Sequence, residues 1–222
     1  MLNERKMIGL DEAYAVRTPA DSIRLYAHWA HTYDADFVAD NGYVAYLRVA
    51  EQLAKHQSDL QAAVLDVGCG TGVGGAALRD HGFATVDGID ISNDMLAVAG
   101  KKTTGKGEPV YRHLIEADLT RRVDVASDTY AGLVSAGTFT HGHLGPDSLR
   151  ELWRIAAPGA VCAIGINAKH YASRGFAERI AADVASQTIT RPQLVEVDMY
   201  THPHDHVDPG NDKAVIVVCR VV

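Results

Sequence analysis

The hydrophobic pattern along this chain changes period near residue 60. Before that point, Leu25, Tyr26, Trp29, Tyr33 and Phe37 recur at three- and four-residue steps, which marks a single helix face. Asp21 and Ser22 stand ahead of them as candidate N-caps. A second helical pattern follows Asn41-Gly42, with Val44, Leu47, Ala50 and Ala54 on one side. Beyond residue 60, short aliphatic runs alternate with helix-period segments. The pattern predicts strands over 63–67, 84–89, 110–115, 130–135, 160–166, 194–200 and 214–221, and helices over about 72–81, 93–100, 146–155 and 171–185. Strand–helix alternation implies a doubly wound, mostly parallel sheet covered on both faces by right-handed crossovers. Only THPHDHVDPGNDK separates the last two strands, so they are expected to form an antiparallel hairpin. The expected organisation is a single α/β domain. Residues 1–58 supply an arm (to about Pro19) and a helical lid, and residues 59–222 form the core.

Composition narrows the function. A chain of 222 residues with 47% hydrophobic content can bury roughly 70% of its unfolded surface. The formal net charge of −7 argues against sequence-independent nucleic-acid binding, which needs a basic face. No apolar run approaches the roughly 20 residues of a membrane span, and the first residues carry no leader pattern. A cytoplasmic protein with neither nucleic-acid nor membrane partners is therefore expected. Cys69, Cys162 and Cys219 are too few and too widely spaced for a metal quartet or a disulfide framework. They read as buried free thiols, with Cys69 facing the ligand turn.

The chemistry concentrates in VLDVGCGTGVGG, residues 64–75. A buried strand meets an acid and then a run of glycines, leaving bare backbone at a strand-to-helix turn for a ligand to touch. Asp90 ends the next apolar run, a little over 20 residues on, where α/β folds place a carboxylate on a ribose. Together these features indicate an adenosine-containing cofactor. A literal G-x-G-x-x-G at Gly70, Gly72 and Gly75 keeps a nicotinamide dehydrogenase as the rival, although counting from Gly68 puts Val73 at the third glycine position. Asp66 could also be a structural acid capping the turn.

On these residues the sequence resembles the class I S-adenosylmethionine-dependent methyltransferases. VLDVGCGTG is similar to their first motif, VDGIDIS with Met95 and Leu96 to the second, IEADL to the acidic adenine corner, and LWRIAAPGA to the segment before the fifth strand. The likeness covers nearly everything from about Asp59 onward. WAHTYDADF and SAGTFTHGHLGP further resemble a small subgroup that includes the methyltransferase named for the Williams–Beuren region. The resemblance implies a Rossmann-like methyltransferase fold and the cofactor S-adenosyl-L-methionine. It places Gly68, Gly70 and Gly72 against the methionine part and Asp66 beside the sulfonium and amino end. Asp90 would take the ribose hydroxyls, Ile91 and Met95 the adenine faces, Asp118 the adenine amino group, and Leu119 the ring edge. Cys69 and Thr71 of the turn, Ser135 and Ala136 at the end of the fourth strand, and Tyr33 complete the implied cofactor contacts.

Methyl transfer from a sulfonium needs alignment, and a hydroxyl acceptor also benefits from a general base such as histidine. His141 and His143 follow the fourth strand and are the candidates for that role, facing a small-molecule methyl acceptor. Asn167 and His170 follow the fifth strand and could reach a polar group of the acceptor. His202, His204 and His206 alternate in the last loop, a pattern that suits a solvated cover better than a metal site. Tyr26, Trp29 and Tyr33 would wall the pocket from above. The alternative to an enzyme is a cofactor-binding sensor or partner subunit.

Overall fold

A computed structural model describes residues 16, 18–140, 143–201 and 212–222. The chain opens with α1 (Pro19–Trp29), a π-helical segment (Asp34–Ala39) and α2 (Ala45–His56). The core then runs β1 (Val64–Val67), α3 (Val73–Asp80), β2 (Val86–Asp90), α4 (Asn93–Ala99), β3 (Leu114–Glu116), β4 (Tyr130–Phe139), α5 (Leu149–Ile155), β5 (Ala156–Asn167), α6 (Ala168–Ser173), α7 (Phe176–Ala185), β6 (Gln193–Asp198) and β7 (Lys213–Arg220). The strands form one seven-stranded sheet in the order β3-β2-β1-β4-β5-β7-β6. Strands β1 to β5 pair in parallel, and β7 lies antiparallel between β5 and β6. This is the mostly parallel sheet with an antiparallel end that the sequence predicts, and the last hairpin inserts its second strand next to β5.

Burial follows the sheet. One apolar cluster includes Leu65, Leu133, Cys162, Ile164 and Val217 with α5 and α7 residues; a second includes Val64, Val134, Val161 and Ile216 with α2, α3 and α4 residues. Cys162 and Cys219 face each other across β5 and β7, both buried free thiols as expected. Among the described residues, no helix is long and apolar enough to cross a membrane.

Several local expectations are corrected. Thr18, not Asp21 or Ser22, caps α1: its side chain accepts from the Asp21 backbone, Asp21 reaches back to Thr18, and Pro19 takes the first helical position. A reciprocal box satisfies two orphan amides at once, so it sets the helix start. The aromatic stripe does not ride one helix, because a turn after Trp29 and a π-helical stretch divide it. On α2 the buried face is Val49, Ala50 and Leu53, whereas Leu47 is 42% exposed. The predicted helix over 171–185 is two helices, separated at Gly175 (φ +79°). The third strand shortens to Leu114–Glu116 because Tyr111 turns its ring under the glycine turn.

Candidate active site

The order of the sheet reverses at β1, which has β2 on one side and β4 on the other. Ligands in such sheets bind beyond the carboxyl ends of the strands at this switch point. A cavity of about 260 Å³ opens there. The turn after β1 provides Gly68 and Gly70, the end of β2 provides Asp90 and Ile91, and α4 provides Met95. Asp118 and Leu119 follow β3, Ala136 comes from β4, Tyr33 and Tyr26 come from the N-terminal elements, and His143 follows β4. Residues far apart in the sequence therefore line one cavity.

Local geometry explains the turn. Gly68 has φ +68°, and a Cβ there would fall 1.9 Å from Thr138 Oγ1. A Cβ on Gly70 would meet nothing within 4 Å, so its bare face is open to a ligand. The backbone amides of Gly70 and Ser92 each donate to Asp90, at 2.9 Å. These two bonds orient the carboxylate, while burial pushes its pKa above the usual carboxylate range. Asp118 accepts from the Thr120 amide at 2.9 Å and the Thr120 hydroxyl at 2.6 Å.

Strand β4 runs four residues past its predicted end. Its register against β5 shifts between Ser135 and Phe139, and Gly137 sits at φ +79°. Such a bulge lifts a short segment out of the sheet. Ala136, Gly137 and Thr138 consequently line the cavity. The glycine is visible in the sequence, but nothing there marks it as a bulge.

Five expected contacts are turned elsewhere. The Asp66 carboxylate accepts from Tyr111 Oη at 2.7 Å and faces the start of α3, where a Cβ on Gly74 would come within 2.8 Å of it. It is buried and does not line the cavity, whereas the resemblance implies a place beside the sulfonium. Desolvation dominates over these hydrogen bonds and raises its pKa from 3.8 to about 6. Cys69 does not face the ligand: its thiol is buried beside Gly88 and Tyr111, and burial raises its pKa well above the usual value. Ser135 donates to the Val67 carbonyl at 2.9 Å and joins β4 to β1. Gly72 packs against the Tyr111 ring. Thr71 donates to Asp34, and Lys102 pairs with the same carboxylate at 2.6 Å. That pair of contacts fastens the π-helical segment over the turn.

Other candidates separate cleanly. His170 is buried and bonds the Leu144 carbonyl at 3.0 Å, so it shapes the loop and does not reach the cavity. His141, His202, His204 and His206 lie outside the described residues. No metal-binding group of His, Cys, Asp or Glu occurs among the described residues. Pro19, Ser22, Thr120 and Leu144 also line the cavity, although the sequence reading assigned none of them to it. The first two arrive because the Thr18 cap starts α1 directly above the cavity.

The donor set tests two cofactors. Among the described residues, the lining carries Asp90 and Asp118 and no lysine or arginine. A cationic sulfonium with ribose hydroxyls suits two carboxylates, whereas a pyrophosphate would meet like charge with no basic partner. The third glycine of the literal dinucleotide motif is also blocked. A Cβ on Gly75 would lie 2.3 Å from the Tyr111 ring, and the Gly75 amide donates to Tyr111 Oη at 3.2 Å. That glycine makes room for a tyrosine, not for phosphate.

Comparison with known proteins agrees. A family profile described as a methyltransferase domain matches residues 64–159. The human Methyltransferase-like protein 27 is 29% identical over 153 residues, 68% of this chain and 60% of that protein. The chain thus spans less than two thirds of that relative's length. Among solved structures, the [4+2]-cyclase SpnF superposes with a TM-score of 0.65 at 15% identity, covering 93% of this chain and 97% of that one. An S-adenosylmethionine-dependent methyltransferase from Mesorhizobium loti gives 0.56 at 15% identity, covering 77% and 96%. The matched domain and the shared fold make this chain similar to the class I S-adenosylmethionine-dependent methyltransferases, and the cavity suits S-adenosyl-L-methionine.

Proposed function

We propose that this protein moves a methyl group from S-adenosylmethionine to a small-molecule acceptor bound beneath α1. The observation that carries the reading is the cavity at the β1/β4 switch point, lined by Gly70, Asp90, Asp118 and the Tyr26–His143 pair. When bound, the cofactor supplies an electrophilic methyl group. The protein's part is to bind, align and exclude water. Asp90 would hold the ribose hydroxyls, and Ile91, Met95, Asp118 and Leu119 would enclose the adenine. Tyr33 and Ala136 would border the methionine end.

His143 is the proposed catalytic base. Its Nε2 lies 3.0 Å from Tyr26 Oη, and both residues line the cavity. A neutral imidazole there can take a proton from a hydroxyl acceptor as the new bond forms. His141 belongs to the same proposal by its neighbouring position in the sequence. The narrower likeness to the Williams–Beuren subgroup, the cytoplasmic location and the lack of nucleic-acid or membrane partners belong to it too.

Calorimetry tests the reading. S-adenosylhomocysteine should bind at micromolar affinity or tighter and raise the melting temperature, and NAD should do neither. Stabilisation by NAD alone would overturn the assignment. A second reading, a cofactor-binding protein whose chemistry is not methyl transfer, is favoured by one observation: the cyclase SpnF shares this fold. Binding of S-adenosylhomocysteine without turnover on any acceptor would support it.

A further inference from the structure

We propose that the acceptor is a small uncharged hydroxyl compound, phenolic or enolic, methylated on oxygen. The proposal rests on the methyl-transfer reading and names its acceptor class. A second cavity, about 50 Å³, lies under α1 and the π-helical segment, against β4, β5, β6 and β7. It shares Tyr26, Tyr33, Ala136, Gly137 and His143 with the larger one. The two cavities therefore meet where the methyl group would be handed over.

Three features of the smaller cavity select its occupant. First, none of its described lining residues is Asp, Glu, Lys or Arg. An ammonium drawn into it would lose its hydration and, among the described residues, gain no counter-charge, and it would face the cationic sulfonium as well, which disfavours it strongly; a carboxylate would find no basic side chain among the described residues. Second, its walls are aromatic. Trp29 meets Phe37 edge-on at 5.3 Å between centroids, Phe37 lies 5.1 Å from Tyr43, and Tyr43 lies 5.7 Å from Tyr200. Such walls suit one edge of a flat apolar ring reaching in from the larger cavity, since about 50 Å³ is less than the roughly 150 Å³ that encloses a benzene ring. Third, the Trp29 indole N–H has no hydrogen-bond partner among the described residues although the residue is only 2% exposed. An indole nitrogen only donates. A ligand oxygen brought against it could accept from it, whereas an ammonium, which also only donates, could not. The last point separates a neutral oxygen compound from a cation held in an aromatic cage.

The joint between the cavities suits oxygen chemistry. With the Tyr26 hydroxyl donating to His143 Nε2, the acceptor hydroxyl can give its proton to Tyr26 Oη while Tyr26 passes its own to the imidazole. The acceptor oxygen forms the new bond to the methyl carbon. The S–CH₃ bond breaks with its electron pair left on sulfur, and the positive charge ends on the imidazolium.

The test uses the full chain and four probes on one ring: phenol, thiophenol, benzylamine and benzoate. Calorimetry with S-adenosylhomocysteine present measures binding, and mass spectrometry with S-adenosylmethionine measures methylated product. Phenol should bind most tightly and be methylated on oxygen, with benzylamine and benzoate at least tenfold weaker. Trp29→Phe, which keeps an aromatic ring and removes the N–H, should weaken phenol binding by about 3–10-fold and leave S-adenosylhomocysteine affinity unchanged. Preferred methylation of benzylamine, benzoate or thiophenol would overturn the acceptor class and leave methyl transfer standing. Failure of phenol to bind at millimolar concentration, or an unchanged affinity in Trp29→Phe, would overturn it as well. If phenol binds beside S-adenosylhomocysteine and none of the four probes is methylated, the methyl-transfer reading itself fails.

Discussion

The two halves of the pocket are built differently. The half over β1 and β2 is made of backbone and short hydrogen bonds: the Gly70 and Ser92 amides orient Asp90, and Thr120 orients Asp118. Its parts lie within a few residues of a strand end. The half under α1 is made of side-chain surfaces from distant segments, with Trp29, Phe37, Tyr43, Phe139 and Tyr200 meeting over β4, β5 and β7. The first half has few ways to vary, because backbone polar groups must be paired. The second half can change by single substitutions, so it is where specificity can differ between proteins of one fold.

Removing residues 1–40 separates the halves most sharply. The sheet should stay folded by circular dichroism, with cofactor affinity reduced and turnover lost, since Tyr26 and Tyr33 leave the wall. Full activity in the truncated chain would make the lid an appendage.

His143→Gln touches the joint alone. Turnover on a hydroxyl acceptor should fall by about 10²–10⁴, with S-adenosylhomocysteine affinity nearly constant. An abolished affinity would move His143 into the cofactor site.

The two acids at the ends of β1 and β2 sharpen the contrast within the first half. Asp66 has a folded pKa of about 6 against an ordinary 3.8. Between those values the folded state holds more protons than the unfolded one, so stability should fall as pH rises from about 4 to about 6 and then level off. The loss is about 3 kcal/mol, because each pH unit separating the folded and unfolded values is worth about 1.36 kcal/mol. Asp66→Asn should flatten this part of the profile in pH-dependent denaturant unfolding, because Asn can still accept from Tyr111. An unchanged slope would mean that the acid is ionised when folded.

Asp90→Ala should weaken S-adenosylhomocysteine binding by roughly tenfold or more, the worth of a charge-assisted hydrogen bond, as read by calorimetry. A smaller effect from Asp90→Ala than from Asp66→Asn would reverse the roles assigned to the two acids.

Legibility in the sequence followed the range of the interactions involved. The seven strands, the glycine turn, Asp90 and the Asp118 corner could be read because each depends on neighbours within a few residues and on the alternation that buries a parallel sheet. Strand ends were read less well: β4 outran its apolar pattern through a bulge at Gly137, and β3 shortened where Tyr111 left the sheet to bond Asp66. The direction of a side chain at the turn was not local at all. Asp66, Cys69 and Thr71 stand in the same motif as Gly68 and Gly70. Their side chains answer to Tyr111, to the core around Gly88, and to Asp34.

By itself, then, the sequence determined the α/β class, the sheet with its antiparallel end, the glycine turn after β1 and the acid that ends β2, since period and spacing carry that information within one strand–turn–helix unit. Tertiary structure alone decided which side chains of that unit face the ligand, where α1 begins over the cavity, and that Tyr26 and His143, 117 residues apart in the chain, meet at 3.0 Å. Those outcomes depend on how separate elements pack across the switch point, and no local pattern records the partner that each surface will meet.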